Sequence, residues 1–190
     1  WIQEERFGQA WLRPRFPEPL LGLVEARFLL KGPCTLGTAG DPGEILRRLE
    51  PEPGMPSRWI APVQRHGVEI LSSDEGIPVL PDRPEGDGIL LARPGRGGVL
   101  RFADCVPVLL AGTDPEPWIL GLHGGYAGTV GGIVPAGLDL LAVQGRLGGA
   151  WAWIGPGSGP CCYLRRVEDP ATREGRLRLP GRLQRAAHRG

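Results

Sequence analysis

Residues 88–124 read GILLARPGRGGVLRFADCVPVLLAGTDPEPWILGLHG, and the reading of this stretch decides the fold. Apolar runs (GILLA, GVLRFA, VPVLLA, WILGLHG) alternate with short turns rich in Gly, Pro, Asp and Arg. Runs of that length between turn residues read as strands, since a helix needs roughly ten residues or more to cover a face. The pattern extends outward on both sides, through WIAPV, VEIL and IPVL before the stretch and WAWIG after it. Eight such runs from Trp59 to Gly155 predict a substantial sheet.

Helical periodicity is rarer. From Thr129 to about Arg146, the residues Val130, Ile133, Val134, Leu138 and Leu141 fall on one stripe, with Thr129 placed to cap it. Pro135 lies within the stripe and predicts a kink or a split. The first 56 residues hold LLGLVEARFLL and close on PGEILRRLE, where Ile45 and Leu49 share a helical face, so a strand or two and one short helix are expected there. No repeat and no linker divides the chain. Strands in the middle with helices outside them predict an α+β fold, one domain over residues 1–190 with one core.

Composition narrows the function classes. With 22 basic and 21 acidic residues, the net charge of +1 excludes the strongly basic surface of a nucleic-acid binder. No apolar run approaches the ~18 residues that a membrane-spanning helix needs. No nucleic-acid or membrane partner is therefore expected, and any anion must be held locally. Gly (31) and Pro (21) exceed a quarter of the chain, yet 41% hydrophobic content and six Trp supply enough apolar area for a core. Four cysteines lack secretory spacing, and the N-terminus lacks the basic and apolar regions of a signal peptide, which predicts the cytoplasm and reduced thiols. The sequence begins at Trp1 rather than Met, as a trimmed sequence would.

Three residues at strand ends carry the candidate chemistry. His66 and His123 stand in Gly-flanked turns, and Cys105 opens VPVLLA. Two imidazoles and a thiolate suit Zn²⁺ and leave a fourth tetrahedral position for water or substrate, and the same donors suit copper. The ligands are separated by 39 and 18 residues, with no local knuckle, so a core cysteine and two ordinary turn histidines are the alternative. The glycine-rich turn after His123, GGYAGTVGGIV, leads from a strand into a helix and so directs N–H groups toward an anion, unless its glycines serve only close packing. Adjacent Cys161 and Cys162 read as small buried hydrophobes, with redox or metal roles as alternatives, and His188 reads as solvated.

QRHG (64–67), EGDGILLARPG (85–95), ADCVPVLL (103–110), LHGGYAGTVGGIV (122–134) and IGPGSGPCCY (154–163) occur in an order that resembles the laccase-domain family, also called YfiH-like, multicopper polyphenol oxidoreductase or purine nucleoside phosphorylase. The resemblance runs from about residue 20 to the end of the chain. It implies a layered α/β/β/α sandwich with mixed sheets, and one Zn²⁺, with Cu²⁺ as the alternative, on His66, Cys105 and His123. It also implies phosphorolysis of adenosine, inosine or guanosine with adenosine deamination as a side activity, so that the partners are a small-molecule nucleoside and phosphate and the chain is a monomer or homodimer. Substrate- and anion-binding positions carried over are Lys31, Thr35, Gln64, Gly124, Gly125, Tyr126, Gly128 and Thr129. Copper-dependent polyphenol oxidation is an older assignment in the family, but laccase chemistry needs several coppers, more than two histidines and one thiol hold. Some bacterial members are associated with peptidoglycan editing.

The departures concern the phosphate. Where the family has HAGWRG this chain has HGGYAG, so Tyr126 replaces Trp and Ala127 replaces an arginine that would fork onto an anion. Lys31 in LLKGP stands for an arginine and Thr35 in TLGT for an asparagine. The sequence ends at LQRAAHRG, where family members continue into a strand-rich segment with a Ser-Tyr-Arg-Arg stretch, so the expected domain is short at its C-terminus. A divergent, non-catalytic metal-binding member is the alternative these departures raise.

Overall fold

The hairpin made by VPVLLAG and WILGLHG is the centre of the computed structural model, which describes residues 1–49, 55–72 and 80–159. Strand β8 (Val106–Gly112) pairs antiparallel with β9 (Trp118–Gly124), with Val108 opposite Leu122, Leu110 opposite Leu120 and Ala111 opposite Ile119. Before them come β1 (Ile2–Arg6), β2 (Gln9–Arg13), a 3-10 turn (Glu18–Leu20), β3 (Phe28–Leu29), α1 (Pro42–Arg48), β4 (Arg58–Ile60), β5 (Ile70–Ser72), β6 (Gly88–Leu91) and β7 (Arg96–Gly98). After them come α2 (Tyr126–Gly131), α3 (Ile133–Val143) and β10 (Trp151–Ile154).

The apolar runs do not all join one sheet. Among the described residues a five-stranded mixed sheet has the order β10-β8-β9-β6-β5, β1-β2-β3 form an antiparallel sheet, and β4-β7 form a parallel pair. The N-terminal part thus holds three strands where one or two were expected. GVLRFA contributes only its first residue to a strand. Val99 to Ala103 is a connection whose hydrogen bonds go to single partners, such as Val99 N–H to Ile60 O at 2.9 Å, and not to a ladder. IPVL falls on residues 77–80, of which 77–79 lie outside the described residues, as do Cys161, Cys162, His188 and the basic tail.

Alternation of side chains across a strand builds two layers of core. Leu90, Leu110, Trp118, Leu120 and Leu122 face Ile133 and Leu141 of α3. Ala111 and Ile119, on the other face, pack with Leu20 and with Phe16, Val24, Leu109, Trp151 and Trp153. Burying an indole removes about 150–250 Å² from water, or roughly 4–6 kcal/mol at ~25 cal/mol per Å², and Trp118 is fully buried. The space comes from Gly112, where a Cβ would lie 2.7 Å from the indole.

The predicted long helix is two helices. Gly132, at φ +97°, ends α2 and begins α3, so the break falls at the glycine and not at Pro135. Pro135 is the third residue of α3, where its missing N–H has no intrahelical acceptor to lose. Thr129 is not a cap; its N–H donates to Gly125 O inside α2, and the helix ends at Val143 rather than near Arg146. The buried face of α3 is Ile133, Gly137 and Leu141, spaced by four, while Leu138 is 38% exposed. Gly137 centres that face because a Cβ there would come within 3.1 Å of Leu122.

Candidate metal centre

The alternation that sends Leu120 and Leu122 toward α3 sends His123 to the opposite face, at the end of β9. There it is 3% exposed, and its Nδ1 lies 2.8 Å from Oδ1 of Asp87, itself 1% exposed. Register explains the pairing. Gly88 opposes Leu122, so Asp87 falls opposite His123, and the His123 N–H also donates to Asp87 O at 2.8 Å.

The QRHG turn closes on the same carboxylate. Main-chain N–H groups of Arg65 (3.0 Å), His66 (2.9 Å) and Gly67 (2.8 Å) all donate to Asp87. Three convergent N–H groups bend the turn, and His66 sits in the left-handed region at φ +60°. Its ring centroid is then 4.8 Å from that of His123. Cys105 lies one residue before β8, where continuation of the register sets it beside Gly125. A Cβ on Gly125 would lie 2.7 Å from His66 Cδ2 and 3.1 Å from Cys105 Sγ, so only glycine leaves this space open. One ligand atom from each of His66, Cys105 and His123 lies within 4.8 Å of the others.

Burial pushes the Asp87 carboxyl up, but the hydrogen bonds from His123 and from the N–H groups of Gly67, Arg65 and His66 together hold it below the ordinary aspartate value. An ionised carboxylate only accepts, so Nδ1 of His123 donates to it and Nε2 is the ring nitrogen left to meet a metal. Ligand atoms around a tetrahedral zinc lie roughly 3.4–3.8 Å apart, from Zn–N near ~2.1 Å and Zn–S near ~2.3 Å. The cluster therefore fits such an ion after small side-chain adjustments. His66 is exposed, Cys105 half-buried and His123 buried, so the group opens to solvent on the His66 side.

The other expected site residues are placed less uniformly. Gln64 lies near the cluster, but its Nε2 donates to Arg101 O (2.9 Å) and its Oε1 accepts from Arg101 N–H (2.7 Å), tying the QRHG turn to the segment that leads to Cys105. Gly124, Gly125, Tyr126, Gly128 and Thr129 run from β9 into α2 beside the ligands. Gly124 and Gly128 are closely packed: a Cβ would lie 2.7 Å from Val106 O at Gly124 and 2.8 Å from Gly67 O at Gly128. Thr35 keeps its hydroxyl in its own turn, accepting from Gly32 N–H at 2.9 Å, and Lys31 is exposed on the loop after β3. No hydrogen bond among the described residues joins Lys31 or Thr35 to the ligands. The sequence reading missed Asp87, whose one signal is an acidic residue bracketed by glycines at the head of an apolar strand. It also missed Phe102, whose ring meets His123 edge-on at 5.4 Å.

Residues 43–174 match the family described as multi-copper polyphenol oxidoreductase laccase. The chain belongs to this family. Among members of the laccase family, the purine nucleoside phosphorylase YlmD of Geobacillus stearothermophilus is 33% identical over 132 residues, covering 65% of this chain and 47% of YlmD. Purine nucleoside phosphorylase PA4543 of Pseudomonas aeruginosa is 28% identical over 170 residues, 81% of this chain and 64% of that protein. The crystal structure of Geobacillus stearothermophilus YlmD superposes with a TM-score of 0.53 at 31% identity, covering 65% of this chain and 48% of that one. Neisseria meningitidis NMB0706 superposes at 0.60 with 21% identity over 80% of this chain and 64% of its own, which speaks to fold alone. The α+β architecture is that of these laccase-family structures. The chain spans about half the length of the YlmD sequence it matches. Among the described residues no helix is long and apolar enough to cross a membrane.

Proposed function

We propose that this chain is the metal-binding part of a zinc-dependent purine nucleoside phosphorylase acting on adenosine, inosine or guanosine, with adenosine deamination as a side activity. The observation that carries the reading is the convergence of His66, Cys105 and His123 within 4.8 Å at the ends of the central strands, open to solvent on the His66 side. Family relatives that bear the name purine nucleoside phosphorylase supply the reaction class.

His66, Cys105 and His123 would hold a zinc ion, which would supply Lewis-acid chemistry at neutral pH. In phosphorolysis a phosphate oxygen forms a bond to ribose C1′ as the C1′–N9 bond breaks, and the purine leaves with that electron pair and takes up a proton. In deamination water adds at C6 and ammonia leaves. His123 directs its Nδ1 proton to Asp87, and exposed His66 lies on the side from which substrate would enter. We assign the turn from Gly124 to Thr129 to the phosphate, whose charge the N–H groups of the first turn of α2 favour. Ala127, in that turn, supplies no charge-assisted fork.

The test incubates zinc-loaded protein with adenosine, inosine or guanosine plus phosphate and assays free base, ribose phosphate and deaminated product. Product from wild type and its loss in Cys105→Ala are expected; no product, or undiminished activity in Cys105→Ala, ends the reading. Ala127 favours a second one, a metal-binding member without turnover, which predicts normal zinc uptake with blank assays. Under the enzyme reading Ala127→Arg raises turnover at low phosphate.

A further inference from the structure

The carboxylate of Asp87 lies behind the ligands and receives hydrogen bonds from two of the three segments that carry them. Oδ1 accepts from the His66 N–H at 2.9 Å and from His123 Nδ1–H at 2.8 Å. Oδ2 accepts from the N–H groups of Arg65 at 3.0 Å and Gly67 at 2.8 Å. Every one of these donors belongs to a histidine ligand or to a residue adjoining one. The residue is 1% exposed, so bulk solvent does not compete for these bonds.

We infer that Asp87 is the positioning residue of this centre, a single carboxylate that makes the two imidazole ligands one preformed unit. The inference rests on reading His66, Cys105 and His123 as metal ligands. Two physical effects support it. A neutral imidazole on its own samples both tautomers, and only the one with hydrogen on Nδ1 leaves Nε2 as a donor atom. The bond to Asp87 selects that tautomer. A histidine at φ +60° is uncommon and persists only when its surroundings hold it, and here three successive N–H groups converge on one carboxylate. Loss of the carboxylate therefore releases both rings at once, although neither ligand has been changed. Packing by Phe102, whose ring is edge-on to His123, fixes ring position but selects no tautomer.

The deciding variant is Asp87→Asn, nearly identical in shape but able to accept through only one side-chain atom. Zinc affinity is measured by competition with a chromophoric chelator, and the tautomer of His123 by ring ¹⁵N spectroscopy of the metal-free protein. Zinc affinity is expected to fall about 10- to 100-fold, the usual scale for loss of an outer-sphere partner. The His123 signal is expected to change from one Nδ1–H tautomer to a mixture. Unchanged affinity, or a wild-type His123 protonated on Nε2, overturns the inference. If the variant does not fold, the wild-type tautomer decides alone. Neither readout involves nucleosides, so a protein that needs Asp87 for zinc yet splits no substrate keeps this inference and loses the proposed activity. If wild type takes up no zinc, the metal reading ends while the ring tautomer still reports on the carboxylate.

Discussion

A missing side chain matters as much at this centre as the ligands do. Gly125 is a residue whose type was legible and whose purpose was not: it stood among anion-binding positions, and it also leaves the gap into which His66 and Cys105 converge. Gly125→Ala would place a methyl 2.7 Å from an imidazole carbon, closer than real Cβ contacts come, and 3.1 Å from the thiol sulfur, tighter than most of them. The expected outcome is a protein that folds but binds zinc at least tenfold more weakly, read by elemental analysis after gel filtration alongside the unfolding midpoint of the metal-free form. Full zinc occupancy in the variant would contradict the packing argument. Gln64 has a similar history, expected to meet substrate and found gripping the main chain of Arg101 through both ends of its amide.

At the level of elements, strands were easier to read than helices. A strand declares itself as a short apolar run between turn residues, and in the structure WILGLHG divides into a set facing α3 and a set facing away. The apolar stripe after it predicts one helix kinked or split at Pro135, but the break falls at Gly132, whose left-handed φ of +97° an apolar stripe does not encode. Its N–H meets the carbonyls of Gly128 and Thr129, closing α2 while α3 starts at the next residue. Gly132→Ala should cost about 1–2 kcal/mol, the penalty of a Cβ in left-handed backbone, measured by urea unfolding. No loss of stability would mean that the two helices join without strain.

At the scale of the molecule, Asp87 links folding to the site electrostatically. Its carboxyl is held below the ordinary value despite burial, by the hydrogen bonds from His123, Gly67, Arg65 and His66. A depressed folded pKa contributes stability that is fully present above the unfolded aspartate value, about 4, and is lost as pH falls through the folded one. Acid unfolding of the metal-free protein, followed by tryptophan fluorescence, should therefore steepen below about pH 4, and Asp87→Asn should lose part of that dependence. Identical acid limbs in the two proteins would show that this carboxylate is not what links folding to pH. The N-terminal region packs directly on the central sheet through Leu20 and Phe16, and it reaches the His123 side through Phe28 against Phe102 at 5.7 Å and Phe102 against His123.

By itself the sequence determined the central strands, the α+β class, the family and the three side chains that could bind a metal. Each of these is carried by local periodicity or by short motifs. Tertiary structure alone decided that candidate ligands separated by 39 and 18 residues meet, that Asp87 lies opposite His123, and that Gly125 keeps the space between His66 and Cys105 open. The reason is register: which residue faces which across β6, β8 and β9 depends on how whole strands slide against each other, and a one-residue slip would turn every one of these side chains to the other face.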